Sequence, residues 1–281
     1  DTTDVGITDN VARSGLDPER MKRLDSYFQK QVDQGIISGA SAMVLHHGKV
    51  AYQQNFGFRD RPKSSAMQRD TIFRIYSMTK PITSVAVMLL WEEGAFQLSD
   101  PVHWYLPELK AMKVAELDPE SGKYRLVKAE RSMTIQDLLR HTSGLNYSIF
   151  FGDREHPVNA AYLKAGIGKR DFKNSELPAR LAKTPLFYHP GTDWLYGRST
   201  DLLGALIEKV SGQTLGEFFQ QRIFKPLNMV DTDFYVPANK LDRLAAGFDP
   251  KTASYPVLVG STAVDLIDVS RKPVYEEGGG G

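Results

Sequence analysis

Ser77 and Lys80 stand three positions apart in the run Tyr76-Ser77-Met78-Thr79-Lys80-Pro81. On a helix that spacing puts both side chains on one face, so the lysine amine can lie beside the serine hydroxyl. A serine hydroxyl is a poor nucleophile at neutral pH and needs a base within hydrogen-bond reach. A lysine fills that role when burial and nearby positive potential favour the uncharged amine. The chemistry on offer is attack of an activated serine on a carbonyl carbon. The same pair also occurs on ordinary solvent-facing helices, so Ser-x-x-Lys alone decides nothing.

The element that must position the pair is a helix. Pro81 marks its first turn, where a missing backbone N–H costs nothing, so the helix is expected to begin close to Ser77 and to end at Gly94. Val85, Met88 and Leu89 fall at helical spacing, widened by Val87, Leu90 and Trp91, and are expected to form its buried face. Before it, Asp17-Pro18-Glu19 reads as a helix start with an apolar stripe at Met21, Leu24, Tyr27, Phe28 and Val32. Residues 40–45 and 50–56 then read as two strands across a short Gly48-containing turn. After it, 113–131 is a small excursion around Asp118-Pro119-Glu120-Ser121-Gly122. Thr134 caps a short helix at 135–140, and Ser175 to Lys183 forms another. Residues 146–171 are aromatic, Gly-rich and aperiodic, and are expected to be irregular. Ser199 or Thr200 is expected to cap a helix carrying Leu202, Leu203, Leu206, Ile207 and Val210, ended by Gly212. Thr214 and Glu217 form a capping box for the next.

Composition narrows the classes. The chain has 281 residues, a net charge of +1 and no cysteine. The charge balance gives no footprint for nucleic acid. Thiol catalysis, disulfides and cysteine metal sites are excluded, and the six histidines show no ligand spacing, so no metal or other cofactor is expected. No apolar run reaches the length of a membrane span. A leader removed before Asp1 would make the protein periplasmic or secreted; the compartment stays open. The chain also lacks the G-x-S-x-G elbow, the phosphate-binding G-x-x-x-x-G-K loop and the dinucleotide fingerprint.

A second candidate is Tyr196, a phenol on a turn just ahead of a helix; a tyrosine between tryptophan and leucine is also a common core residue. Around it the motifs accumulate. Ser77-Met78-Thr79-Lys80, then His141-Thr142-Ser143-Gly144-Leu145, then Pro190-Gly191 with Trp194 and Tyr196, then Asp201, Leu203-Gly204, Glu208 and Gly212 together resemble the serine β-lactamase and penicillin-binding-protein superfamily. Within it they are most similar to class C β-lactamases and family VIII carboxylesterases. The resemblance implies that Ser77 is acylated and that Lys80 and Tyr196 form the base system, with the choice between them open. It implies further that the Ser77 N–H is an oxyanion donor and that Tyr147 lines the substrate pocket. Phe150 and Phe151 are expected beside Tyr147 along an acyl chain. His141 is expected to be structural.

Two departures shape the expectation. Arg198 stands where class C enzymes carry the asparagine that binds the lactam side chain, which favours ester over β-lactam substrates. The superfamily's third motif follows a Gly-rich stretch such as Glu276-Glu277-Gly278-Gly279-Gly280-Gly281, so the chain is expected to be an incomplete view of a longer protein, with part of its sheet missing. The expected fold is therefore α/β (α+β) and serine β-lactamase-like. It pairs an antiparallel sheet region flanked by helices (residues 1–66 and 245–281) with a mostly helical region (67–244) that carries the nucleophile. The expected function is a serine carboxylesterase acting on short-chain esters. β-Lactamase, D-alanyl-D-alanine carboxypeptidase and acyltransferase are the alternatives on the same machinery, and a non-catalytic binding or scaffold protein is the alternative of another kind. The partner is a small-molecule ester or β-lactam; substrate identity and oligomeric state stay open.

Overall fold

The structure is a computed structural model and describes residues 14–147, 156–247 and 268–280. The chain forms two compact units, residues 1–74 with 236–271 and residues 75–235 with 272–281. This differs from the division expected at 66/67 and 244/245. The last described residues go with the helical unit because Glu276, Gly278 and Gly279 hydrogen-bond to its side chains and backbone.

In the first unit, helix α1 (Pro18–Asp33) starts where Asp17 Oδ1 accepts from the N–H groups of Glu19 and Arg20 at 2.9 and 3.3 Å. Strands β1 (Gly39–His46) and β2 (Lys49–Asp60) pair antiparallel from Gly39↔Gly57 to His46↔Lys49. Their turn residues His47 and Gly48 take φ of 50° and 73°, the left-handed pair a tight right-twisted hairpin requires. A two-residue β3 (Ser65–Ala66) pairs with β2, giving the order β1-β2-β3. α1 lies on this sheet through Phe28 stacked on Phe56 and through Tyr52, whose hydroxyl donates to Asp25 at 2.6 Å.

The second unit holds a large apolar core. A 3₁₀ turn (Tyr76–Met78) leads into α2 (Thr79–Glu92). Of the face expected to be buried, Val87 and Leu90 are buried, but Val85 is 50% exposed, Trp91 40% and Met88 37%, and Thr79, Thr83 and Ala86 are buried in their place. The reason is close approach. Part of the inner side of α2 meets a glycine backbone at Thr83, where a small side chain fits, while Val87 and Leu90 pack into the apolar core. Strands β4 (Lys113–Leu117) and β5 (Tyr124–Lys128) form the excursion as a second hairpin. α3 (Ile135–Arg140) carries the full Thr134–Asp137 capping box and ends at His141 in the left-handed region, φ 57°. α4 (Pro157–Ala165) lies in the stretch expected to be irregular, started by His156 with Pro157 and stopped by Gly166. Phe150 and Phe151 lie outside the described residues. α5 (Leu177–Leu181) is short. α6 (Ser199–Ser211) has every residue from Ser199 to Ile207 buried, so Ser199 and Thr200 sit inside the helix, and Arg198 is the cap position instead. α7 (Leu215–Phe219) follows its Thr214 capping box and continues as a π-helical turn (Gln220–Phe224). Among the described residues no helix is long and apolar enough to cross a membrane.

Candidate active site

Ser77 sits in the 3₁₀ turn that opens α2, exposed to solvent, after Tyr76 in the left-handed region at φ 44°. A non-glycine residue is costly there, and such strain persists only where the surroundings hold it. Lys80 follows one turn into the helix, half-buried. Its Nζ donates to Ser77 Oγ at 3.2 Å and to the Gly279 carbonyl. Tyr196 enters from the turn before α6, and its hydroxyl donates to Ser77 Oγ at 2.8 Å. Lys80 Nζ also lies 4.5 Å from the centre of the Tyr196 ring. The serine hydroxyl thus has an amine and a phenol within or close to hydrogen-bond distance, the arrangement a nucleophile needs for proton removal.

The Tyr196 turn is held by its neighbours. The Leu195 N–H donates to the His141 carbonyl at 2.9 Å, and the Gly197 N–H reaches His141 Nδ1 at 3.4 Å. Burial, with the Lys80 charge second, pushes the His141 imidazole down to about 4. The ring therefore stays neutral near neutral pH and its Nδ1 remains an acceptor. Its side chain supports the turn, with its centre 5.0 Å from that of the Tyr196 ring. Gly197 is required by space: a Cβ there would stand 2.1 Å from the Leu145 carbonyl oxygen.

Tyr147 is buried next to the lysine. It is 7% exposed, with Lys80 Nζ 5.4 Å and the Arg198 guanidinium 4.8 Å from its ring centre. Burial holds its phenol protonated, well above the usual tyrosine range. Arg198, in the place of the class C asparagine, is buried: its Nη1 donates to Glu277 Oε1 at 2.6 Å and Asp201 Oδ2 at 3.3 Å. Burial opposes the guanidinium charge, but the two carboxylates outweigh it and hold its pKa above the ordinary value. Asp201 is pushed up to about 6 by burial and by the neighbouring Glu277. Its Oδ1 accepts the Gly279 N–H at 2.8 Å. Glu277 also pairs with Arg170.

Sequence reasoning brought Ser77, Lys80 and Tyr196 forward and missed the Gly279 carbonyl and the Arg198–Asp201–Glu277 cluster behind it. The one available signal was the acidic pair running into glycines, Glu276-Glu277-Gly278-Gly279. Among the described residues no group of three or more His, Asp or Glu side chains is arranged to hold a metal ion.

A Ser-x-x-Lys helix whose serine meets a tyrosine from a separate turn is the site geometry of the serine β-lactamase-like α/β fold. The chain belongs to the beta-lactamase family, whose model matches residues 24–277. It is 38% identical over 214 residues to Protein Rv1367c of Mycobacterium tuberculosis, covering 76% of this chain and 51% of that protein. It is 35% identical over 216 residues to Esterase EstB of Burkholderia gladioli, covering 75% of this chain and 51% of that one. Among solved structures, EstCE1, described as a hydrolase with promiscuous acyltransferase activity, superposes with a TM-score of 0.74 at 27% identity, over 93% of this chain and 68% of that chain. The chain spans about half the length of the curated relatives it matches.

Proposed function

We propose that the protein is a serine hydrolase that cleaves short-chain carboxylic esters through an acyl-enzyme on Ser77. The observation that carries this reading is the convergence of the Tyr196 hydroxyl, at 2.8 Å, and Lys80 Nζ, at 3.2 Å, on Ser77 Oγ. As Oγ bonds to the ester carbonyl carbon, its proton passes to the Tyr196–Lys80 pair and the carbonyl oxygen becomes an oxyanion facing the Ser77 N–H. Collapse breaks the bond to the alkoxy oxygen, which leaves with the proton the pair returns. Water then attacks the acyl carbon with the same pair as base, and Ser77 Oγ leaves reprotonated. Tyr147 borders this chamber as a wall behind the lysine.

Ester substrates are favoured over β-lactams by the burial of Arg198. Its Nη1 is engaged by Asp201 and Glu277 and offers nothing to a lactam side chain. Acyl transfer to an alcohol is the second reading. It uses the same acyl-enzyme with an alcohol in place of water, and the transferase activity in the description of EstCE1 favours it. The test compares p-nitrophenyl butyrate hydrolysis by the full-length protein and by Ser77→Ala, with nitrocefin and a short alcohol as competing substrate and acceptor. Turnover lost in Ser77→Ala supports the reading. Equal rates refute it, and a higher kcat/KM for nitrocefin than for any ester replaces it with β-lactam hydrolysis. Failure of a fluorophosphonate probe to label Ser77 favours a binding protein on this fold.

A further inference from the structure

Three charged side chains, Arg198, Asp201 and Glu277, are buried together behind Lys80, each 7% exposed or less. Burying ions is expensive, and an apolar cluster of the same volume commonly stabilises a fold as well or better. A purely structural role is therefore a poor account of why these groups are charged. What they touch is more specific. Arg198 is two residues beyond Tyr196, Asp201 lies in the first turn of α6, and Glu277 is two residues before Gly279. One nitrogen, Arg198 Nη1, bridges Asp201 Oδ2 and Glu277 Oε1. The other Asp201 oxygen takes the Gly279 N–H, and the carbonyl of that same residue accepts from Lys80 Nζ. The bonds form a continuous path from the Tyr196 turn to the lysine amine.

The packing leaves the path little freedom. A Cβ at Gly279 would stand 2.7 Å from both Asp201 Oδ1 and the Tyr147 hydroxyl. A Cβ at Gly278 would stand 2.8 Å from the Thr200 carbonyl oxygen. The Gly278 carbonyl is fixed by Thr83 Oγ1 at 2.7 Å, and the Glu276 carbonyl by Asn174 Nδ2 at 2.8 Å.

We infer that Arg198, Asp201 and Glu277 are positioning residues: they clamp the 277–279 segment so that the Gly279 carbonyl holds the Lys80 amine beside Ser77 Oγ. The inference rests on the reading of Ser77 as the nucleophile. None of the three touches Ser77, so their work is done through Lys80. Losing the clamp lets the amine turn away from the serine, which slows acylation without altering how substrate enters. A misplacement of about 1 Å in such a group costs on the order of 100-fold in rate.

The test uses Asp201→Asn and Glu277→Gln, both near-isosteric, with Arg198→Met and Arg198→Lys, in the full-length protein. Folding is checked by circular dichroism and thermal unfolding. Steady-state kinetics on p-nitrophenyl butyrate are read beside the second-order rate of fluorophosphonate labelling at Ser77. The expected result is folded variants with KM within about twofold of wild type, and kcat and labelling rate lower together by roughly 10- to 100-fold. Arg198→Lys should recover more than Arg198→Met, because one nitrogen makes both contacts. Folded variants with undiminished kcat overturn the inference, and so does a rise in KM alone, which assigns the cluster to substrate contact. Loss of the fold in both isosteric variants overturns it in favour of a structural role. An inert wild type overturns the esterase reading and this inference together, whereas an active wild type with equally active variants overturns this inference alone.

Discussion

Gly197→Ala is the most discriminating single change, because the structure fixes both its cost and its consequence. The added Cβ would lie 2.1 Å from the Leu145 carbonyl oxygen and 2.7 Å from Asn146 Cα. Ordinary carbon–oxygen contacts are well over 3 Å, so the two segments must part by about 1 Å. The 144–146 segment is not free to yield. The Phe187 N–H binds the Gly144 carbonyl at 2.8 Å, Asn146 Nδ2 binds Asn159 Oδ1 at 3.1 Å, and the Asn146 N–H binds the Tyr162 hydroxyl at 3.1 Å. The Tyr196 turn must therefore move, which carries its hydroxyl from 2.8 Å to beyond hydrogen-bond reach of Ser77 Oγ. Overpacking of this kind costs ~1–3 kcal/mol, and the displaced phenol should lower kcat on an ester substrate by about 100-fold. Gly212→Ala is the control. It stands at φ 73° with nothing within 4 Å of an added Cβ, so it carries backbone strain of ~1–2 kcal/mol and no displacement of the site. Urea unfolding followed by tryptophan fluorescence gives the stabilities, and p-nitrophenyl butyrate turnover gives the rates. Both variants should lose stability, and only Gly197→Ala should lose turnover. Full turnover in Gly197→Ala, or equal loss in the two, would refute the steric link between the 145–146 backbone and Tyr196.

Tyr196→Phe removes the shorter of the two hydrogen bonds to Ser77 Oγ while keeping the ring against Lys80, and should lower kcat by about 10²–10⁴-fold with thermal stability nearly unchanged. Asp137→Ala removes the acceptor shared by Arg131, Thr134 and Thr142 and leaves half of a capping box. It should cost roughly 3 kcal/mol in urea unfolding. Glu208 is raised from 4.5 to about 7 by burial first and by nearby Glu276 and Glu217, while the Leu215 N–H opposes the shift. A carboxyl raised on folding contributes fully below its unfolded value, and that contribution is lost as pH climbs through the folded one. Glu208→Gln should therefore match wild type at pH 4 and exceed it by ~1–2 kcal/mol at pH 8, a figure reduced for the side chain's partial exposure. A stability gain that is the same at both pH values would show that the charge is not the cause.

The sequence carried the site's side chains better than its backbone. Ser77 and Lys80 announce themselves by spacing, and Tyr196 by the Pro-Gly turn and helix around it. The Gly279 carbonyl has no such signature, because every residue has a carbonyl and only the fold decides which one meets Lys80. Arg198 shows a second limit. Its type and its place after Tyr196 can be read directly, but arginine is seldom fully buried unless paired, so its burial depends on partners. Its partner Glu277 is 79 positions away, so the pairing that buries it is invisible locally. α4 went unread because its nine residues lie inside an aromatic, Gly-rich stretch, although His156-Pro157 and Gly166 mark its ends.

The face of α2 that turned out to be buried explains why the glycine segment sits where it does. A helix surface rich in Val, Met and Trp invites burial by hydrophobicity, yet the buried side of α2 adds Thr79, Thr83 and Ala86 to Val87 and Leu90. Across from it α6 offers Thr200 and Gly204. Between the two helices Gly278 fits with 3.4 Å from the position of its missing Cβ to Thr83 Cγ2 and 3.5 Å to Gly204 Cα. Small residues on both helices open a seam one backbone wide, and the backbone that fills it brings the Gly279 carbonyl to Lys80. Apolar area removed from water favours the larger side chains. The small residues give up that gain, and what the helix acquires is a backbone acceptor, the Gly279 carbonyl, one residue beyond the Gly278 carbonyl that Thr83 anchors. The buried face of α2 is therefore set jointly by hydrophobic periodicity, at Val87 and Leu90, and by side-chain volume at Thr83, where the seam that places the lysine's acceptor opens.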